Sequence, residues 1–150
     1  MANVCSNRMT ATGSEADLMA FLAAEMATEE PWSPECGELP DLARGSDGNS
    51  MVCLTFPTNW KGAFKEMLAA SARHPSLVIT LAAAELANCY AEANVMRAGG
   101  IIGGYSMQPE EINQATGPDY DEEPVFDDLF STVSSYEFDA LDGGTAPKVG

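Results

Sequence analysis

Apolar positions along the chain follow two rhythms, alternation at period 2 and recurrence every three or four residues, and their order predicts the elements. In "VCSNRMTATG", Val4, Ser6, Arg8 and Thr10 alternate with Cys5, Asn7, Met9 and Ala11, which predicts a strand ended by Gly13. Ser14 is placed to cap a helix, with Leu18, Phe21, Leu22 and Met26 at helical spacing behind it. "SMVCLTFPT" predicts a second strand closed by Pro57. "NWKGAFKEMLAASARHP" predicts a helix with Phe64, Met67, Leu68 and Ser71 or Ala72 on one face and Pro75 as its stop. Residues 77–81 read as a strand. Residues 82–86 are ambiguous, because alanine favours helix while the neighbours favour extension. Residues 88–96 alternate again, with Cys89, Ala91 and Ala93 on one side. "RAGG" reads as a turn and "IIGGYSM" as a short returning strand. The two Gly-Gly pairs read as hairpin punctuation rather than a phosphate loop, which would need a following helix start and a lysine.

The last third is unusual. Residues 99–150 hold eleven acidic residues and one basic residue, so most of the formal charge of −16 lies there. An acidic tail with no apolar pattern would be disordered. Here Val125, Phe126, Leu129, Phe130 and Val133 make one helical stripe, with Pro124 suited to the first turn and Glu122, Glu123, Asp127 and Asp128 near the positive helix end. "YEFDA" alternates as an amphipathic strand would. The expectation is therefore a single domain over residues 1–142, with an acidic extension from about residue 108 and a loose tail over 143–150.

Composition narrows the chemistry. At 150 residues with 45% apolar content, the chain can bury a core without metals or disulfides. A pI near 4.1 disfavours direct contact with nucleic acid or anionic membranes and favours basic surfaces. The opening residues lack the pattern of a secretory signal, and no window reaches a membrane span, so the expected location is cytoplasmic. Cys5, Cys36, Cys53 and Cys89 are widely spaced with no CxxC pair, a spacing that fits free thiols, three of them packed as small apolar residues, better than a zinc site built from four distant thiolates. His74 has no second histidine and suits a helix end. A calcium loop over residues 119–123 would lack the central glycine and distal glutamate of an EF-hand. No cofactor is expected. Residues 28–50, rich in proline, glycine and acids, form a long connection with an irregular strand or turn near 38–42; Trp32 within it is either a partner anchor or folded onto the core.

Two stretches carry a family resemblance. "NVCSNRMTATGSEADLMAFL" and "LTFPTNWKGAFKEMLAASARHPSLVITL", through Asn3, Cys5, Asn7, Gly13, Phe56, Thr58, Trp60 and Pro75, resemble the YubB-like ferredoxin-like proteins of phages and plasmids. The resemblance covers about a third of the chain. It implies an α+β ferredoxin-like sandwich, an antiparallel sheet with two main helices on one face, with Asn7 and Thr58 as turn and cap partners and Trp60 as a core wedge. It transfers no catalytic residue.

Three functions are compatible. An enzyme needs convergent nucleophile, base or metal ligands, and the carboxylates cluster instead like a solvated face. The favoured expectation is a mobile-element protein that inhibits a host nucleic-acid-binding defence, anti-CRISPR or anti-restriction, by placing a DNA-mimicking surface in a basic groove. Its expected contacts are Asp119, Tyr120, Asp121, Glu122, Glu123, Asp127, Asp128, Glu137 and Asp139, with Trp32. The remaining expectation is a small binding or assembly module whose acidity serves only solubility.

Overall fold

The alternation in β1 (Val4–Gly13) divides one sheet into two unlike faces. In the computed structural model, which describes residues 4–25, 43–44, 50–59, 62–116 and 121–141, Cys5, Asn7, Met9 and Ala11 are buried on one face. Ser6, Arg8, Thr10 and Thr12 are half-buried on the other. β3 (Ser50–Asn59) pairs antiparallel along the whole of β1, setting Met9 opposite Leu54. β4 (Val78–Glu85) flanks β1 on its other side and sets Met9 opposite Leu81. β5 (Tyr90–Arg97) and β6 (Gly100–Ser106) continue the sheet as hairpins, and a two-residue strand, β2 (Ala43–Arg44), edges β3. The order β2-β3-β1-β4-β5-β6 is antiparallel at every junction.

α1 (Glu15–Glu25) and α2 (Phe64–Arg73) cover the first face, as expected. Ser14 does cap α1, its hydroxyl accepting the Asp17 N–H at 3.1 Å. Leu18, Phe21 and Leu22 from α1 and Met67 and Ala70 from α2 meet Met9, Leu54, Ile79 and Leu81 in one apolar cluster. Because β3 and β4 both run opposite to β1, they are parallel to each other, and α2 joins them around β1 as a split β-α-β unit. Asn7 secures that unit: its amide donates to Thr58 Oγ1 at 2.8 Å and to the Phe56 carbonyl at 3.2 Å, while its Oδ1 accepts the Ala63 N–H at 3.0 Å. One buried side chain thus ties two strands to the start of α2.

The opposite face carries a second helical layer, α3 (Pro109–Thr116) and α4 (Glu123–Leu141). Val125, Phe126, Leu129, Val133 and Ala140 of α4 and Ile112 of α3 pack on Val78, Ala82, Ala84, Ala91, Ala93 and Val95. β4 is consequently buried at all eight positions, which resolves its alanines. Covered on both sides, the strand buries Ala82, Ala83 and Ala84 as it buries Ile79 and Leu81, and that burial outweighs the helical preference of alanine.

Three expectations are corrected. "YEFDA" is not a strand but the last turns of α4: Leu129, Val133, Tyr136 and Ala140 keep helical spacing, and no glycine or proline interrupts them. The second Gly-Gly pair is not a turn; it lies inside β6. A Cβ on Gly103 would sit 2.5 Å from the Tyr136 ring, so this glycine lets α4 approach the sheet. The first pair does mark a turn, with Ala98 and Gly99 both at positive φ. Finally, only Cys5 among the described cysteines is buried, because Cys53 alternates onto the open side of β3 and Cys89 sits in the turn before β5. No helix among the described residues is long and apolar enough to cross a membrane. Cys36, Trp60 and residues 28–42 and 143–150 lie outside the described residues.

Candidate functional site

α3 and α4 carry seven carboxylates and no lysine, arginine or histidine. Local chemistry sets both helix starts. Asp121 accepts the Glu123 N–H at 3.0 Å, closing the chain into the first turn of α4. Glu111 reaches back to the Gln108 N–H at 3.0 Å, the reciprocal half of a capping box, with Pro109 at the first helical position. That Gln-Pro-Glu-Glu run, followed by Ile112 and Ala115, was the signal for α3 that the hydrophobic reading passed over.

Once α4 buries its apolar stripe, the remaining positions face outward. Asp121, Glu123, Asp127, Asp128 and Asp139 are exposed, and Glu122 is half-buried. With a rise of about 1.5 Å per residue, Glu123 and Asp139 lie about 24 Å apart along one rigid rod. Glu110 and Glu111 extend the negative surface onto α3. Two cations from the sheet approach this layer. Arg8 pairs with Glu123, and its guanidinium sits 4.7 Å from the centre of the Phe126 ring. Arg97 donates to the Ala140 carbonyl at 2.7 Å, satisfying the C-terminal end of α4.

Glu137 departs from the outward set. It is half-buried beneath α4, and burial pushes its carboxyl above the ordinary range. The Thr80 hydroxyl beside it pulls the other way, although its geometry falls short of a formed hydrogen bond. Its neighbour Tyr136 lies against Gly103 with its ring partly exposed. Glu137 therefore belongs to the packing of α4 on the sheet, whereas Glu123, Asp127, Asp128 and Asp139 lie on its exposed side; Asp121 and Glu122 precede the helix, and the half-buried Glu122 lines a hollow with Ser6, Arg8 and Phe126. Asp119, Tyr120 and Trp32 lie outside the described residues.

Other titratable groups form two separate clusters. At the far ends of α1 and α2, the buried Glu25 carboxylate receives Arg73 Nε at 2.9 Å and Nη2 at 2.7 Å, and lies 2.9 Å from His74 Nε2. The Arg73 guanidinium holds Glu25 below the usual carboxylate range. The His74 ring meets Phe21 edge-on with centroids 5.2 Å apart, so His74 is a helix-end packing group, as its position suggests. Across the first face, Thr58, Cys5, Glu85 and Tyr90 occupy one row of four strands. Burial raises the Cys5 thiol to about 11, which leaves it protonated and unreactive. Tyr90 donates to Glu92 and is raised by its burial and by that carboxylate. Among the described residues no group of three or more His, Cys, Asp or Glu is placed to hold a metal ion. Cys5 and Cys53 point to opposite faces of the sheet, and Asp121 of the considered calcium loop is engaged in capping α4. Comparison of the chain with protein-family models, with curated proteins and with solved structures finds no match.

Proposed function

We propose that the α3/α4 layer is a recognition surface for a basic groove on a partner protein, of the kind that handles nucleic acid. The carrying observation is that the exposed side of α4 holds Glu123, Asp127, Asp128 and Asp139, with Asp121 and Glu122 just ahead of its first turn, on a helix fixed to the sheet by Phe126, Leu129 and Val133. Carboxylates on an ordered rod meet cations without a folding cost at the moment of binding, and their field accelerates encounter. A chain whose acidity served only solubility could spread its charge; here the helices of the first layer carry four carboxylates against two cations, and those of the second carry seven against none. The split β-α-β unit and antiparallel sheet are compatible with the ferredoxin-like sandwich of the YubB-like resemblance. On that resemblance we read the protein as a phage or plasmid product acting in the host cytoplasm. The target is then a defence complex, a CRISPR effector or restriction enzyme, whose DNA channel the acidic layer occupies; the role is inhibitory and non-catalytic.

The test is competition. Purified effector or restriction complexes are loaded with labelled duplex DNA, and the protein is titrated in at salt between about 50 and 200 mM. The expected result is displacement that weakens with salt and is lost when Asp121, Glu122, Asp127 and Asp128 are replaced by lysine. Displacement that ignores both salt and charge reversal, or no displacement from any such complex, returns the acidity to a solubilising role.

A further inference from the structure

Between α3 and α4 the surface opens into a cavity of about 350 Å3, lined by Tyr105, Met107, Glu111, Ala115, Asp128 and Thr132 among others. That is at the lower end of the range for small-ligand sites, about 300–1,000 Å3, and suits one side chain better than a cofactor. Its walls differ in kind. Tyr105, Met107 and Ala115 supply an aromatic ring, a thioether and a methyl group, while Glu111 and Asp128 bring negative charge from two different helices. Glu111 is fixed in place, accepting the Tyr105 hydroxyl on one oxygen and the Gln108 N–H on the other. The Tyr105 hydroxyl also holds the Glu111 carboxyl below its ordinary range, so it is charged at neutral pH. A carboxylate offers about four acceptor sites, so two remain open. The Asp128 carboxylate has no hydrogen-bond or ion-pair partner among the described residues, and no described cation lines the cavity.

We propose that this cavity is the anchor site for one arginine side chain of the basic partner, its guanidinium seated against the Tyr105 ring and between the Glu111 and Asp128 carboxylates. The inference deepens the reading of α3/α4 as a recognition surface and rests on it. A planar guanidinium stacks on an aromatic face and divides its five donors between two acceptors, which a compact, strongly hydrated ammonium does less well. The same layer already holds one arginine in this manner, since Arg8 lies over Phe126 and pairs with Glu123. The cavity repeats the combination of ring and carboxylate with the guanidinium position open. Charge spread along α4 supplies encounter rate, and a walled site beside it supplies the localised anchor that long-range attraction lacks.

The experiment titrates the full chain with N-acetyl-arginine amide and, separately, N-acetyl-lysine amide, following amide resonances. The expected result is saturable change with the arginine compound, concentrated on Tyr105, Glu111, Ala115 and Thr132, and weaker change with lysine. Asp128→Asn lowers the arginine affinity about three- to tenfold, in line with loss of one exposed charge-assisted contact. Glu66→Gln, on the opposite helical layer, leaves it unchanged. Equal, diffuse changes with both compounds, or indifference to Asp128→Asn, overturn the anchor. If that happens while a basic complex still binds with salt-sensitive affinity, the surface reading stands and the anchor alone falls. If the cavity binds arginine but no basic complex is engaged, the arginine site stands and the groove-binding reading falls.

Discussion

Two helical layers sit on the same sheet, each seated by a full apolar stripe, and they differ in how they treat charge. α1 and α2 turn charge inward. Glu25, almost wholly buried, gathers Arg73 and His74 at the layer's edge, so both a cation and the buried carboxylate of these helices are spent on each other. α3 and α4 turn charge outward, with seven carboxylates and no cation on either helix. In the first layer a carboxylate is part of what holds the helices together. In the second, Glu111 caps α3, Glu123 pairs with Arg8 and Glu137 packs on the sheet, while Asp127 and Asp128 make no side-chain hydrogen bond or ion pair among the described residues. Charge that does not serve the fold is free to serve recognition, and this contrast supports placing the partner surface on α3/α4.

The contrast breaks first if the second layer is an appendage. Phe21 and Phe126 are both fully buried, one in each apolar cluster. Truncating either to alanine is expected to cost about 3–5 kcal/mol in urea unfolding, as for other buried aromatics. Because β4 lies between the layers and is buried from both sides, both variants should unfold in one transition followed alike by circular dichroism and fluorescence. A second transition in Phe126→Ala alone would mean that α3 and α4 come away separately, and a detachable layer could not present a preformed surface.

Removing the inward charge comes next. Glu25→Gln leaves Arg73 with a poorer acceptor and His74 without its carboxylate partner. Arg73 is about half exposed and regains water, so the cost is discounted to about 1–2 kcal/mol. An unchanged urea midpoint would show the triad to be ornamental and erase the difference between the layers.

The buried Glu25 and the half-buried Glu137 should also respond to pH with opposite sign. Glu25 is held below its ordinary value of 4.5, so the native state binds fewer protons than the unfolded chain around that pH. Its contribution is present above about pH 4.5 and is lost as pH falls through the depressed native value. Glu137 is held above 4.5 by burial, so the native state keeps its proton longer. Its contribution is complete below about pH 4.5 and is lost as pH rises through the raised native value. Acidification should therefore loosen the α1–α2 edge while it tightens the end of α4, read by hydrogen exchange at each. Glu137→Gln should gain at most about 1 kcal/mol at pH 7, screening at its part-exposed site setting the limit, and nothing near pH 4. Parallel changes in both layers would contradict this pairing of signs.

How much of this was legible depends on the length and redundancy of each signal. β1, α1, β3 and α2 were readable because a long apolar pattern agreed with a cap or stop such as Ser14 or Pro75 at each boundary. The burial of Val125, Phe126, Leu129 and Val133 was legible for the same reason, against the pull of an acidic composition. "YEFDA" was misread because five residues satisfy period 2 and period 3.6 equally; only the continuous stripe from Leu129 decides for helix. Gly103 and Gly104 were misread because a strand glycine required by the approach of Tyr136 from thirty-odd residues away looks locally like a turn. Of the expected contact residues, the exposed set on α4 follows from helical phase. The inward position of Glu137 does not, since it depends on which sheet position, Thr80, lies below. The cavity between α3 and α4 was invisible because it joins Tyr105 of β6 to two helices, one of them signalled only by its capping residues.

The smallest expected effect bears most directly on function. Asp127→Asn combined with Asp128→Asn removes two exposed charges from the first turns of α4, where neither side chain has a hydrogen-bond or ion-pair partner among the described residues. Stability should change by no more than about 0.5 kcal/mol, since loss of a favourable interaction with the helix N-terminus is offset by relief of repulsion from Glu122, Glu123 and Asp121. That near-neutrality should hold in low salt and at about 0.5 M, where exposed charges are screened in any case. Set beside Glu25→Gln, the pair asks whether a carboxylate's value lies in the fold or beyond it. A loss approaching that of Glu25→Gln would place these carboxylates in the architecture of α4 and remove the argument that they are held in reserve for a partner. A neutral result in unfolding together with weakened displacement of DNA from a basic complex separates the two roles in a single variant.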